Sequence, residues 1–254
     1  MRRAITRGVS SALARCELTH LARAPIDFSA ARDQHDAYER RLREAGCAVT
    51  RVDADEALPD CVFVEDIALV LPDVAILTRP GAASRRGETP AIEAALRPYR
   101  ALRRLEAPAT LDGGDVLVVG RAIYVGRSSR TNDDGIAQLR AVVAPLGYAL
   151  HAVAVRGCLH LKSAVTAIGD DVVLLDPASI DGAALGALRR VEIDPAEPGA
   201  ANALRVGDAL VYPSSFPRTR ARLAAHGARI LDVDVGELQK AEGAVTCCSL
   251  IFSA

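Results

Sequence analysis

What most constrains this 254-residue chain is a period of about 50 residues, long enough to signal an architectural repeat. Helix punctuation predicts helices over Ser29–Ala45, Pro90–Arg97, Asn132–Leu146, Ala178–Leu188 and Pro217–His226. They begin on serine, asparagine, proline or alanine, and Gly46, Gly147 and Gly227 stand just past three of the ends. Ala178–Leu188 departs from the pattern, because Gly182 and Gly186 fall inside it. Each helix is followed by a strand-like run: Ala48–Val52, Ala101–Leu105, Tyr148–Val155, Arg190–Ile193 and Ala228–Val233. Four repeats also contain paired apolar runs split by a tight turn: Phe63–Leu71 with Val74–Leu77, Asp115–Val119 with Ile123–Val125, Ser163–Ile168 with Val172–Leu175, and Ala203–Val206 with Leu210–Tyr212. The fifth pair joins the two ends of the chain, Ala244–Phe252 with Arg3–Val9. The reading is a closed ring of five strand–turn–strand–helix–strand units, with both termini sharing one blade and the strand edges protected. An ordinary doubly wound sheet has few hairpins and does not fit.

Composition narrows the function classes. Half the residues are apolar and 25% are charged, which excludes a disordered chain. The net charge of -1, from 31 Lys+Arg against 32 Asp+Glu, gives no sign of a nucleic-acid partner. No stretch approaches the roughly 18 unbroken apolar residues of a membrane span. The six cysteines, Cys16, Cys47, Cys61, Cys158, Cys247 and Cys248, include no Cys-x-x-Cys pair, so a structural zinc site is not expected. They read as reduced thiols of a cytoplasmic protein. The arginine-rich N-terminus, with Arg2, Arg3, Arg7 and Arg15, is read as the start of the first strand rather than as a targeting segment.

Unusual polar residues fall in phase with the repeat. Asp60, Glu65 and Asp66 precede the first strand of one unit. Asp112-Gly113-Gly114-Asp115, His160, Asn202 and Cys247-Cys248 hold the equivalent places in the others, at intervals of 42 to 49 residues. Taken singly, a histidine between two leucines reads as core, Asp-Gly-Gly-Asp as a turn, and the cysteine pair as strand. In a closed ring, equivalent positions converge on the axis, so a thiol, an imidazole and several carboxylates are expected to meet. An imidazolium lowers the pKa of a neighbouring thiol and activates it as a nucleophile. A carboxylate behind the histidine orients it. Further carboxylates suit a planar, cationic guanidinium.

These residues resemble the dimethylarginine dimethylaminohydrolases of the guanidine-modifying (pentein) superfamily. The resemblance rests on seven segments in order across most of the chain: Pro59–Asp66, Thr78–Arg86, Leu111–Asp115, Arg130–Asn132, Leu159–Lys162, Ala200–Asn202 and Thr246–Ser249. It implies a five-bladed α/β propeller and one catalytic domain over 1–254. It implies Cys247 as the nucleophile, with Cys248 a second thiol beside it, His160 as general acid/base and Asp112 as the acid completing the triad. Some relatives have Glu at that last position. It further implies Asp60, Glu65 and Asp66 around the guanidinium, and Arg85 and Arg130 on the substrate's α-carboxylate. The backbones of Leu18 and Ala241 would meet the α-amino group; Leu18 needs a one-residue gap, and Ala241 replaces a larger apolar residue. The implied reaction converts asymmetric dimethylarginine or monomethylarginine to citrulline and an amine through an S-alkylthiouronium intermediate. No metal or cofactor is required, although some relatives bind zinc as an inhibitor through the cysteine and histidine. The implied partner is a guanidino amino acid, and relatives include monomers and homodimers.

Other readings fit less well. An arginine deiminase resembles a longer chain with an inserted helical domain, and has an acid where this chain has Lys162. Agmatine has no carboxylate for Arg85 and Arg130 to hold. A non-catalytic arginine-binding propeller has no need of Cys247 and His160. A Cys–His peptidase or acyltransferase needs an oxyanion hole rather than a ring of acids. The segment Cys16–Phe28 is expected to act as a lid.

Overall fold

The computed structural model describes all residues, 1–254. Five three-stranded sheets form a five-bladed α/β propeller. In each, the first strand pairs antiparallel with the second, and the third returns parallel to the second. The first four blades are Ala68–Val70, Val74–Leu77 and Ala101–Arg104; Val116–Val119, Ala122–Arg127 and Ala149–Ala154; Val165–Ala167, Val172–Leu175 and Arg189–Glu192; and Leu204–Val206, Ala209–Pro213 and Arg229–Val233. The fifth sheet closes the ring. Arg2–Arg7 lies between Leu250–Ser253, antiparallel, and Ala48–Val52, parallel.

The core is divided into five wedges, one between each pair of neighbouring blades. In four of them an amphipathic crossover helix fills the gap. Phe28–Glu44 supplies Ala31, Tyr38 and Leu42; Thr89–Leu96 supplies Ile92 and Leu96; Asp133–Val143 supplies Ile136, Leu139 and Val143; and Pro217–Ala225 supplies Leu223. The fifth wedge differs from expectation. Ala178–Leu188 does not form a helix, only a 3-10 turn at Gly182–Leu185 that contributes the buried Leu185. A side chain at Gly182 would strike the Arg190 guanidinium, and Gly186 sits at φ +62, so two glycines shape this crossover where a helix would need helical backbone.

The first strands are shorter than expected. Ala68–Val70 is preceded by a 3-10 turn at Val64–Ile67, Val116–Val119 by one at Gly113–Asp115, and Val165–Ala167 by a single helical turn at Leu161–Ala164. A turn likewise leads from Val245 through Cys248 to Leu250–Ser253. All five first strands line a central cavity of about 500 Å³. The polar turns in front of them therefore sit at one end of the propeller axis.

Candidate active site

The turns bring the in-phase residues together. His160 directly precedes Leu161–Ala164, and its Nε2 lies 3.0 Å from Asp112 Oδ2. Asp112 is fully buried, and its Oδ1 accepts from the Gly81 N–H at 2.8 Å. The shorter aspartate thus spans the distance to the imidazole. On the other side of the ring, His160 Nδ1 stands 3.9 Å from Asp66 Oδ1. That approach needs Gly114, because a Cβ there would sit 2.5 Å from His160 Nδ1 and 2.8 Å from Asp66 Oδ1. Instead the Gly114 N–H donates to Asp66 Oδ1 at 2.9 Å.

Charge explains the ionisation of this cluster. Burial disfavours the imidazolium, but Asp66, the hydrogen-bonded Asp112 and Asp115 outweigh it and raise the His160 pKa to about 9. Burial also works against the Asp66 carboxylate, yet His160 and Arg85 hold its pKa at about 2. The thiol of Cys247 is driven the other way. Burial, then Glu65 and Asp66, push it up to about 12. At neutral pH the pair is therefore a neutral thiol beside an imidazolium.

Cys247 and His160 line one small cavity with Glu17, Asp60, Phe63, Asp66, Arg85 and Arg130. Leu159, Ala241, Glu242 and Gly243 complete its wall. Cys248 does not line it; that side chain is fully buried in a core wedge and its thiol meets the Ala244 carbonyl. Asp60 is buried and accepts from the Glu17 N–H at 3.1 Å.

Three placements differ from the sequence reading. Glu65 does not line this cavity. Its Oε1 takes the Lys162 ammonium at 2.5 Å and its Oε2 the Thr246 hydroxyl at 2.8 Å, on the wall of the large central cavity. Arg85 reaches the small cavity but is already bound. Nη1 donates to Asp66 Oδ2 at 2.5 Å, while Nε and Nη2 form a fork on Glu88 at 2.9 and 2.8 Å. The guanidinium is thus neutralised by two buried acids, whereas the Arg130 Nη2 holds only the Thr19 hydroxyl, at 3.0 Å. Leu18 packs its side chain on a core wedge and is absent from the cavity wall, where Glu17 stands instead. Ala241 is on the wall, as expected.

Asp115 was not among the residues assigned a role from sequence. It is fully buried and holds the Leu161 N–H at 2.9 Å together with the Ser128 and Thr131 hydroxyls. It therefore fixes the peptide that follows His160. Glu88, which saturates Arg85, carried no sequence signal beyond its position three residues on. Asp66, Asp112 and His160 offer ligand atoms within 4.8 Å of one another. A cation there would have to displace the bonds from Arg85 and Gly114 to Asp66 and break the Asp112–His160 pair.

The chain matches, over residues 22–189, a family model described as N,N dimethylarginine dimethylhydrolase, eukaryotic. It is 43% identical to the N(G),N(G)-dimethylarginine dimethylaminohydrolase of Streptomyces coelicolor, over 98% of this chain and 96% of that one. The enzyme from Pseudomonas aeruginosa, solved as a cysteine-to-serine mutant complexed with citrulline, superimposes with a TM-score of 0.95 at 35% identity, covering 98% of both chains. A dimethylarginine dimethylaminohydrolase with histidine replaced by glycine, solved as an adduct with S-methyl-L-thiocitrulline, gives 0.94 at 35% identity over 99% and 100%. With its propeller, its buried His–Asp pair and these relatives, the chain belongs to the dimethylarginine dimethylaminohydrolase family.

Proposed function

We propose that this protein hydrolyses Nω-methylated arginines to citrulline and an alkylamine, with Cys247 as nucleophile, His160 as general acid/base and Asp112 as its orienting acid. The observation that carries the reading is that one small cavity holds the thiol, the imidazolium and the carboxylates of Asp60 and Asp66. The Streptomyces relative bears the name of this activity, and the Pseudomonas neighbour was solved with citrulline.

The ionisation states supply a mechanism. Glu65 and Asp66 help keep the resting thiol protonated. A guanidinium seated beside Asp66 cancels that negative field and lowers the thiol pKa, so the thiol gives its proton to solvent water and the thiolate forms when a cation arrives. The thiolate attacks the guanidinium carbon. His160, an imidazolium at rest, donates its proton to the departing amine, leaving an S-alkylthiouronium. The imidazole, now neutral, takes a proton from water, which attacks the same carbon. Loss of the thiolate gives the ureido group of citrulline. Arg130 suits the α-carboxylate end of the substrate, and Asp60, expected at the guanidinium, suits the α-ammonium end instead, because it accepts the Glu17 N–H next to Leu18. Lys162 engages Glu65 from the far side, which leaves fewer free carboxylates for the N–H groups of unmethylated arginine and supports a methylated substrate.

The test is turnover of asymmetric dimethylarginine, monomethylarginine, arginine and agmatine, read as ureido product, for the wild type, Cys247→Ser and Cys248→Ser. Methylated substrates should be turned over, and only Cys247→Ser should abolish it. Turnover of arginine alone would move the protein to the deiminases, and no turnover in a folded protein would leave a binding role.

A further inference from the structure

The small cavity is narrow, although the Cys247 side chain keeps some exposure through its mouth. Its free volume is about 20 Å³, little more than one water occupies and far below the roughly 300–1,000 Å³ of ligand sites. A guanidino amino acid cannot enter unless part of the wall moves. Most of the wall consists of strand-anchored turns and buried salt bridges. The less anchored parts are Leu159 in the bend before His160, Glu17 in the irregular segment between the 3-10 turn ending at Arg15 and the helix beginning at Phe28, and Glu242 with its neighbours.

Glu242 joins the last two of these. Its Oε2 accepts the Thr19 N–H at 2.9 Å, and its Oε1 accepts the N–H groups of His20 and Leu21 at 2.5 and 2.6 Å. Three consecutive amides thus converge on one carboxylate, a backbone nest that binds anions. No helix or strand supports the residues that donate them. Glu242 is also the one non-glycine residue with positive φ, at 57°, where a glutamate is strained and a glycine is not. It sits between Ala241 and Gly243, in the segment that leads to Cys247.

Resting on the function proposed above, we infer that Glu242 is a positioning residue that latches the 16–27 segment over bound substrate. A peptide group is planar and its N–H and C=O point opposite ways. Holding the Thr19 N–H therefore fixes the direction of the Leu18 carbonyl, the group expected to meet the α-amino end. The same latch holds the Thr19 hydroxyl on Arg130 and the Glu17 amide on Asp60. Substrate binding is thereby coupled to the segment that carries the nucleophile.

Glu242→Ala, Glu242→Gln and Glu242→Gly test this, by steady-state kinetics on asymmetric dimethylarginine, by trypsin cleavage after Arg23, and by Tm. Glu242→Ala and Glu242→Gly should raise KM roughly tenfold or more with kcat within about threefold, and both should speed cleavage after Arg23 at least as much. Glu242→Gln, which keeps one good acceptor, should fall between. Glycine removes the backbone strain, so Glu242→Gly should keep or raise the Tm while losing the latch. A merely structural role would instead show wild-type KM in Glu242→Gly, and that result would overturn the inference. Unchanged cleavage after Arg23 in all three variants would overturn it as well. The cleavage assay needs no substrate, so it still decides the matter if the wild type fails to turn over methylarginines.

Discussion

The two ends of the propeller axis are built from neighbouring residues and behave oppositely. Asp66, His160 and Cys247 line the narrow cavity of about 20 Å³. Glu65, Lys162 and Thr246, one or two positions away in sequence, line the open cavity of about 500 Å³ at the other end. Between the two runs a hydrogen-bonded partition: Lys162 on Glu65, Thr246 on Glu65, and Asn202 on both Thr246 and the Lys162 carbonyl. The short helical turns make this division, because successive residues of a turn point to different sides. One side pairs His160 with Asp112 and Arg85 with Asp66 and Glu88, but leaves the Cys247 thiol and Arg130 facing the cavity. On the other the charges are paired, and that side holds the ring together.

This contrast can be broken by substitution. The largest effect should come from Cys247→Ser, which is expected to lower kcat by about 10³-fold or more with the Tm nearly unchanged. Comparable losses in Cys248→Ser at full stability would place the chemistry on the wrong thiol. Lys162→Met should act in the opposite sense. Removing one partner of this part-buried pair leaves Glu65 uncompensated and should cost about 1–2 kcal/mol of unfolding free energy, measurable by denaturant titration. Full stability in this variant would show that the partition is not a structural pair.

Smaller effects sharpen the comparison. Asp112→Asn removes the hydrogen-bonded charge behind His160 and should lower kcat by about 10²-fold while moving the histidine's titration to lower pH, as followed by NMR. In the free wild-type enzyme the thiol and imidazolium together hold two protons until the pH nears 9, and the reactive ion pair holds one. Consequently kcat/KM should climb about tenfold per pH unit from about 7 toward 9. Stability should run against it. The His160 pKa is raised from 6.5 to about 9, so its contribution is complete below 6.5 and is lost as the pH rises through 9. Activity that is flat from pH 6 to 8 would show that the pair loses its first proton at lower pH.

The repeat was legible in the sequence because hairpin turns and helix stops are local signals. Pro72-Asp73, Gly120-Arg121, Gly169-Asp170 and Gly207-Asp208 mark the four inner hairpins directly. The convergence of Asp66, Asp112, His160 and Cys247 followed from their phase in that repeat. What the phase did not contain was direction around the turn. Glu65 and Asp66 are adjacent, and only their partners, Lys162 97 positions away for one and Arg85 for the other, decide which end each one serves. Arg85 was expected on the substrate's α-carboxylate because nothing local in the sequence marks Asp66 and Glu88 as its partners. The lost crossover helix is a local failure with a local cause: Gly182 and Gly186 outweighed the periodic leucines.

The sharing of one blade by both termini also dictates an order of events. Four sheets are assembled from contiguous stretches of chain, so their strands meet after closing short loops. The fifth waits for Arg2 to find Ser253, the costliest encounter the chain has to make. The strand that completes it starts three residues after Cys247. Partly folded forms with the ring still open should therefore leave the thiol without its cavity, and the enzyme should gain its chemistry only with the last strand to close, in a single step late in folding.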